Sequence, residues 1–190
     1  EFPDAGPVQR WLLRRNLRRA DAVVSTSEVM ARRTAEVCPG LGPITVVPFG
    51  VDVARFSPMP RMDSEELVIG TVKTLAPKYG IDTLLRAFKL ICDREPARKV
   101  RLLIVGGGAH ENDLKQLAKQ LALNEATEFV GSVPHYAVPG ELRKLDVYVA
   151  LSRTHSESFG VAVIEASACG LPVVVSNVGG LPEVVEQGVT

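Results

Sequence analysis

One pair of charged residues stands at a spacing that could do chemistry. Glu157 and Glu165 lie at either end of an apolar run in "ESFGVAVIEASACGLPVVVS" (157–176). Carboxylates accept hydrogen bonds from hydroxyls. Taken alone, the acids also fit an exposed helical glutamate and a first-turn residue favoured by the helix dipole. Their surroundings favour burial. "VAVIEASAC" has hardly a polar group besides Glu165, so the helix it forms is buried, and a buried carboxylate needs a partner. "SFG" at its start leaves backbone N–H groups free to face an anion. Gly170 and Pro172 end it. On this reading Glu165 sits two turns into the helix, and the spacing between the acids spans about 12 Å.

The elements that must position these residues alternate. Strands are expected at "ADAVVSTS", "ITVVPFGVD", "LVIGTV", "VRLLIVGGG", "TEFVGSV", "DVYVALS" and "LPVVVS". Helices are expected at 28–37, "IDTLLRAFKLICDRE", "ENDLKQLAKQLAL", "VPGELRKL", "GVAVIEASAC" and from "LPEVVEQ" onward. Short β-branched strands that each lead into a helix make βα units, hence a parallel sheet buried on both faces. "ARFSPMPRMDSEE" is polar, carries prolines and lacks periodicity, so it reads as a linker. Ligands of such sheets sit beyond the carboxyl ends of the strands. The loops that matter are therefore 72–79, 106–109, 131–136, 152–159 and 177–180, where the candidate residues fall.

Composition removes other classes. The 190-residue chain balances 22 Lys+Arg against 22 Asp+Glu, so no net field draws it to nucleic acid. Aromatics, at 5%, are too few for base-stacking platforms, and no apolar run is long enough to span a membrane. Cys38, Cys92 and Cys169 are odd in number and scattered, which argues against a disulfide framework or zinc site and for a cytoplasmic location.

With these motifs in place, "ESFGVAVIEASACGLPVVVSNVGGLPEVV" resembles the signature of the retaining family 4 glycosyltransferases. Their GT-B fold sets two Rossmann-like domains across a cleft. "ADAVVSTSE", "ITVVPFGVDVARFSP", "LLIVGGG", "TEFVGSVP" and "DVYVALS" continue the likeness from Ala20 to the end. The resemblance implies an acceptor-domain tail and linker over 1–57, and an incomplete Rossmann-like donor-binding domain over 58–190. It implies a nucleotide-diphosphate sugar as donor, with neither a cofactor nor a metal. Glu165 is implied on the donor ribose. Glu157 is implied near the sugar and diphosphate, with Ser158, Phe159, Gly160 and Val161 beside them, and the 12 Å spacing suits that ribose-to-sugar span. The family's usual arginine on the diphosphate is absent. Lys73 and Lys78 keep the five-residue spacing and imply two cations on the leaving group, with solvated loop lysines the alternative. Val133 is implied at the base, and Gly107 is expected in a close-approach turn beside the donor, with a purely structural turn the alternative. The activity implied is sugar transfer with retention to a glycan or lipid-linked acceptor, in bacterial surface polysaccharide or glycolipid synthesis. A chain of this extent is expected to bind donor weakly and not to turn it over.

Two other readings stay open. One is a binding module that senses a nucleotide sugar. The other is an oxidoreductase using "VGGG" for a dinucleotide; Gly106 and Gly108 fit the first two glycines of that fingerprint, but Glu111 holds the third place. His110, His135 and His155 are expected as solvated loop histidines, with donor contact the alternative for the last two. Residues 8–19, "VQRWLLRRNLRR", make a basic amphipathic helix. It is expected to pack through its apolar residues, with peripheral contact at the inner membrane face the alternative.

Overall fold

The computed structural model describes residues 6–60, 64–154 and 157–189. The amino-terminal portion carries α1 (Pro7–Arg18), β1 (Val23–Ser25), α2 (Glu28–Val37) and β2 (Ile44–Val46), and β1 pairs with β2 in parallel. The rest is a five-stranded parallel sheet. Its strands are β3 (Leu67–Val72), β4 (Val100–Val105), β5 (Thr127–Gly131), β6 (Val147–Ala150) and β7 (Val173–Val175), in spatial order β5-β4-β3-β6-β7. Helices α3 (Ile81–Arg94), α4 (Glu111–Gln120), α5 (Val138–Leu142) and α6 (Val161–Ala168) make the crossovers.

The strand order reverses at β3. Chain entering at β3 builds outward through β4 and β5, then returns to β3's other side for β6 and β7. Between β3 and β6 the post-strand loops diverge to opposite faces and open a crevice, the place where α/β sheets bind ligands.

Alternation along the strands fills two cores. Val68, Leu103, Val105, Tyr148, Ala150 and Val173 pack on one face against α5 and α6. Ile69, Leu102, Ile104 and Val149 pack on the other against α3 and α4. Phe56, within the expected linker, is only 2% exposed and joins the first core. Arg143 clamps that segment by donating to the carbonyls of Arg55 (2.9 Å) and Ser57 (3.1 Å). At the sheet's far end the expected helix from "LPEVVEQ" is a single 3-10 turn, Leu181–Glu183. Its Glu183 carboxylate accepts the backbone N–H groups of Glu28 (2.8 Å) and Val29 (2.7 Å), which caps α2 and ties it to the sheet unit.

α1 buries none of its residues completely. Leu13 and Leu17 face a small apolar cavity with Val23, Met30 and Val37, while Trp11 and Leu12 stay exposed. Arg14 donates to the Val37 carbonyl at 2.6 Å. Among the described residues no helix is long and apolar enough to cross a membrane.

Tyr148 is fully buried and its hydroxyl donates to the Val72 carbonyl at 3.3 Å. Burial pushes the phenol well above its ordinary range. The folded chain therefore keeps this phenol neutral, while the unfolded chain ionises it near pH 10. This contribution to stability is complete below that pH and falls as pH rises past it. Comparing urea midpoints at pH 8 and pH 11, Tyr148→Phe should show a smaller alkaline drop than wild type; equal drops would refute this origin.

Candidate donor-nucleotide site

Loops from both sides of the crevice converge through one ion pair. Lys73, the residue after β3, places Nζ 2.7 Å from Glu157 Oε2, which lies in the loop after β6. The same oxygen accepts Ser152 Oγ at 2.8 Å. The Lys73 and Glu157 side chains are 18% and 12% exposed, so Lys73 is not a solvated loop lysine. Tyr79 organises both cations: Lys73 Nζ stands 4.4 Å from its ring centre and Lys78 Nζ 5.1 Å. In the sequence Tyr79 lies between Lys78 and Gly80. Its ring attracts both ammonium groups and holds them on one side of the crevice.

Close backbone contacts fix these loops. At Gly80, with φ +64°, a Cβ would lie 2.1 Å from the Leu151 carbonyl oxygen, so the turn after Lys78 presses directly on the loop after β6. Arg153 pins the same loop to α3 through Asp82 Oδ2 (2.7 Å) and Thr83 Oγ1 (2.6 Å). Beneath Glu157, its carbonyl accepts Gly180 N–H at 2.9 Å.

The two acids do not share a continuous helix. α6 begins at Val161, after Gly160 at φ +103°, so Glu157 is a loop residue. Glu165 lies little more than one turn into the helix, not two, and a 12 Å helical rise does not describe the pair. A methyl group at Gly160 would come within 2.7 Å of Leu181 Cδ2, which explains why a glycine makes the break there. No side chain caps α6, and Val161 is exposed at its first position. Phe159 turns inward, 6% exposed, and meets Phe49 edge-on at 5.7 Å. Ser158 lends its carbonyl to close packing over Gly180.

An open cleft of about 350 Å³ lies beside the ion pair, with Lys73, Thr74, Tyr79, Gly107, Ser132 and Val133 among its lining residues. Gly106 and Gly108 are structural: Cβ atoms there would stand 2.0 Å from the Lys73 carbonyl oxygen and 2.3 Å from that of Leu75. Gly107 between them reaches the cleft.

Glu165 is 7% exposed and has found its partner in His135, whose Nε2 lies 2.7 Å from Oε1. His135 occupies a short 3-10 turn, His135–Ala137, after β5. The expectation of a solvated histidine is thus half right, since the ring is 63% exposed yet bound to a buried acid. Its place in a post-strand loop, on the same edge as the candidates, was the available signal. His155 lies outside the described residues, and His110 is 3.9 Å from Asp113. Burial raises the Cys169 thiol, as expected of a packing residue.

The model of the family described as glycosyl transferases group 1 matches residues 54–190, which include Lys73, Lys78, His135, Glu157 and Glu165. The chain belongs to that family. It is 34% identical to the GDP-mannose-dependent alpha-(1-6)-phosphatidylinositol monomannoside mannosyltransferase of Mycolicibacterium smegmatis, over 97% of this chain and 51% of that protein. Among solved structures, sucrose-phosphate synthase from Thermosynechococcus elongatus superposes with a TM-score of 0.84 at 27% identity, covering 98% of this chain and 48% of that one. Anabaena Alr3699/HepE in complex with UDP gives 0.80 at 25% identity, covering 98% and 54%. The fold is the Rossmann-like half of a GT-B glycosyltransferase. The chain spans about half the length of the curated relatives it matches.

Proposed function

We propose that this chain carries the donor-binding part of a retaining group 1 glycosyltransferase, over 58–190, preceded by the tail of an acceptor domain and a linker. One observation carries the reading: the Lys73–Glu157 pair bridges the crevice at the strand-order reversal, beside a cleft lined by Gly107 and Val133. A neighbouring structure at 25% identity holds UDP, which supports a nucleoside diphosphate as the ligand class.

In this reading Lys73 and Lys78 neutralise the leaving diphosphate, and the uncapped start of α6, with the backbone of Ser158 to Val161, adds N–H donors. Charge developing on the departing oxygens is met by groups already in place, so little reorganisation is needed. Glu157 orients sugar hydroxyls. Glu165 accepts from the ribose, Val133 lies against the base, and Phe159 contributes backbone only. Retention follows if a diphosphate oxygen takes the acceptor's proton as the acceptor enters on the leaving-group face. Relatives named for phosphatidylinositol and inositol phosphate acceptors favour a lipid-linked or polyol acceptor, hence work at the cytoplasmic face of a membrane in glycolipid or surface polysaccharide synthesis. The basic α1 is a candidate peripheral contact. The chain alone is expected to bind donor without transferring sugar.

Calorimetric titration with UDP, GDP, ADP and NAD tests this. One nucleoside diphosphate should bind, and Glu165→Ala should weaken it by about 1–3 kcal/mol, the range for a buried hydrogen-bonding group left without its partner. Binding of NAD alone would overturn the reading.

A further inference from the structure

We propose that His135 is the positioning residue for Glu165, fixing its carboxylate for a ribose that carries both hydroxyls. The inference rests on the donor-site reading above and assigns a residue that the reading leaves out.

Glu165 sits on an apolar helix, and among the described residues His135 is the one side chain that bonds its carboxylate. The contact joins α6 to the turn after β5, 30 residues earlier in the chain. A carboxylate accepts, so in the proposed arrangement the ring donates to it through Nε2. That N–H occupies Oε1 and leaves Oε2 and the remaining lone pairs for a ligand. A ribose diol offers two O–H donors side by side. It is best met by a carboxylate whose torsion is already set, because fixing the torsion at binding would cost affinity.

His135 is itself held. Its ring packs on Phe56 at 5.6 Å, and its carbonyl accepts from Arg55 Nη2 at 3.4 Å. Phe56 is core, so the histidine's exposed ring rests on a rigid base. Val133, two residues earlier in the same loop, lines the cleft. The loop facing the base in the proposed site therefore also sets the carboxylate facing the ribose. A residue that only neutralised a buried acid would affect stability, whereas a positioning residue affects how well a diol is told from its absence.

The test titrates the chain with UDP and GDP and with their 2′,3′-dideoxy forms, for wild type, His135→Ala, His135→Gln and Glu165→Ala. Wild type should prefer the ribonucleotide. His135→Ala should lose about ten-fold in ribonucleotide affinity, with little change for the dideoxy form. His135→Gln keeps an N–H donor and should recover most of the loss. In a Glu165→Ala background, His135→Ala should have almost no further effect, since the two act as one unit. Equal losses for both nucleotides would overturn the proposal, as would unchanged ribonucleotide affinity in a His135→Ala chain with a wild-type thermal melt. Should His135→Ala fail to fold, the selectivity of His135→Gln decides: loss of ribose preference there also overturns it. Nucleotide binding that depends on Glu165 but not on His135 sinks this inference alone. Absence of nucleoside diphosphate binding by wild type sinks the donor-site reading and this inference with it.

Discussion

Gly106→Ala is expected to destabilise the chain by about 2–5 kcal/mol and to displace Lys73, from the strain of a forbidden backbone region plus overpacking. Gly106 has φ +136°, and its new methyl would stand 2.0 Å from the Lys73 carbonyl oxygen and 2.9 Å from the carbonyl carbon. Both are backbone atoms that no rotamer change can move aside. The turn is pinned on each side: Gly106 N–H donates to the Gly131 carbonyl at 2.8 Å, Lys73 N–H to Val105 at 2.9 Å and Leu75 N–H to Gly107 at 3.0 Å. Relief must break at least one of these bonds or push the loop after β3 outward, carrying Lys73 from Glu157. Against a total stability of about 5–15 kcal/mol, that is a large fraction. Gly140→Ala is the control. It lies within α5, has no neighbour within 4 Å of its Cβ position and is expected to gain up to about 1 kcal/mol from helix propensity. Urea midpoints of the two variants should move in opposite directions. Equal midpoints would show that the glycine turn tolerates a side chain and does not fix the Lys73 loop.

Much of this architecture is legible in local sequence because its causes are local. The apolar β-branched run "LVIGTV" is β3 over its whole length, and the period of "IDTLLRAFKLICDR" is α3. Alternation of such segments dictates parallel pairing, since each crossover returns the chain to the same edge. Strand order is different: placing β6 beside β3 depends on which faces pack best, and no single segment encodes that. The acids show the same division. Gly160 was legible as part of the helix start, yet the eight-residue spacing invited a continuous helix; the left-handed backbone of Gly160, the inward turn of Phe159 and the close packing on Gly179 and Gly180 place 157–160 in a loop. Partners distant in sequence leave no local mark. Burial of Glu165 followed from its apolar neighbours, whereas its bond to His135 depends on α6 meeting the turn after β5. The linker carries a similar lesson, for Phe56 in a polar, proline-rich stretch gives no periodic signal and still anchors a core.

Lys73→Met should abolish nucleoside diphosphate binding while leaving the weaker nucleoside affinity intact. Methionine keeps the length of the apolar stem over Tyr79 and removes the charge. In the free chain Glu157 Oε2 accepts from both Lys73 and Ser152, so losing Lys73 leaves a carboxylate that is 12% exposed with the Ser152 hydroxyl on that oxygen. A diphosphate entering the adjoining cleft then meets an uncompensated negative charge as well as a missing cation. The two effects together are expected to cost about 3–5 kcal/mol, the range seen when one partner of a largely buried charge pair is truncated. Lys78→Met should cost less, because its ammonium stands 5.1 Å from the Tyr79 ring centre against 4.4 Å for Lys73. The repulsive part can be separated from the attractive part. Glu157→Gln added to Lys73→Met removes the repulsion and should restore some UDP or GDP affinity, although Glu157→Gln alone removes a group proposed to orient the sugar. Titration of each variant with nucleoside and nucleoside diphosphate, at low and high salt, reads this directly. Equal weakening of both ligands would show that Lys73 shapes the cleft without touching phosphate; undiminished diphosphate binding would remove Lys73 from the site, and with it the ion pair on which the proposed function rests.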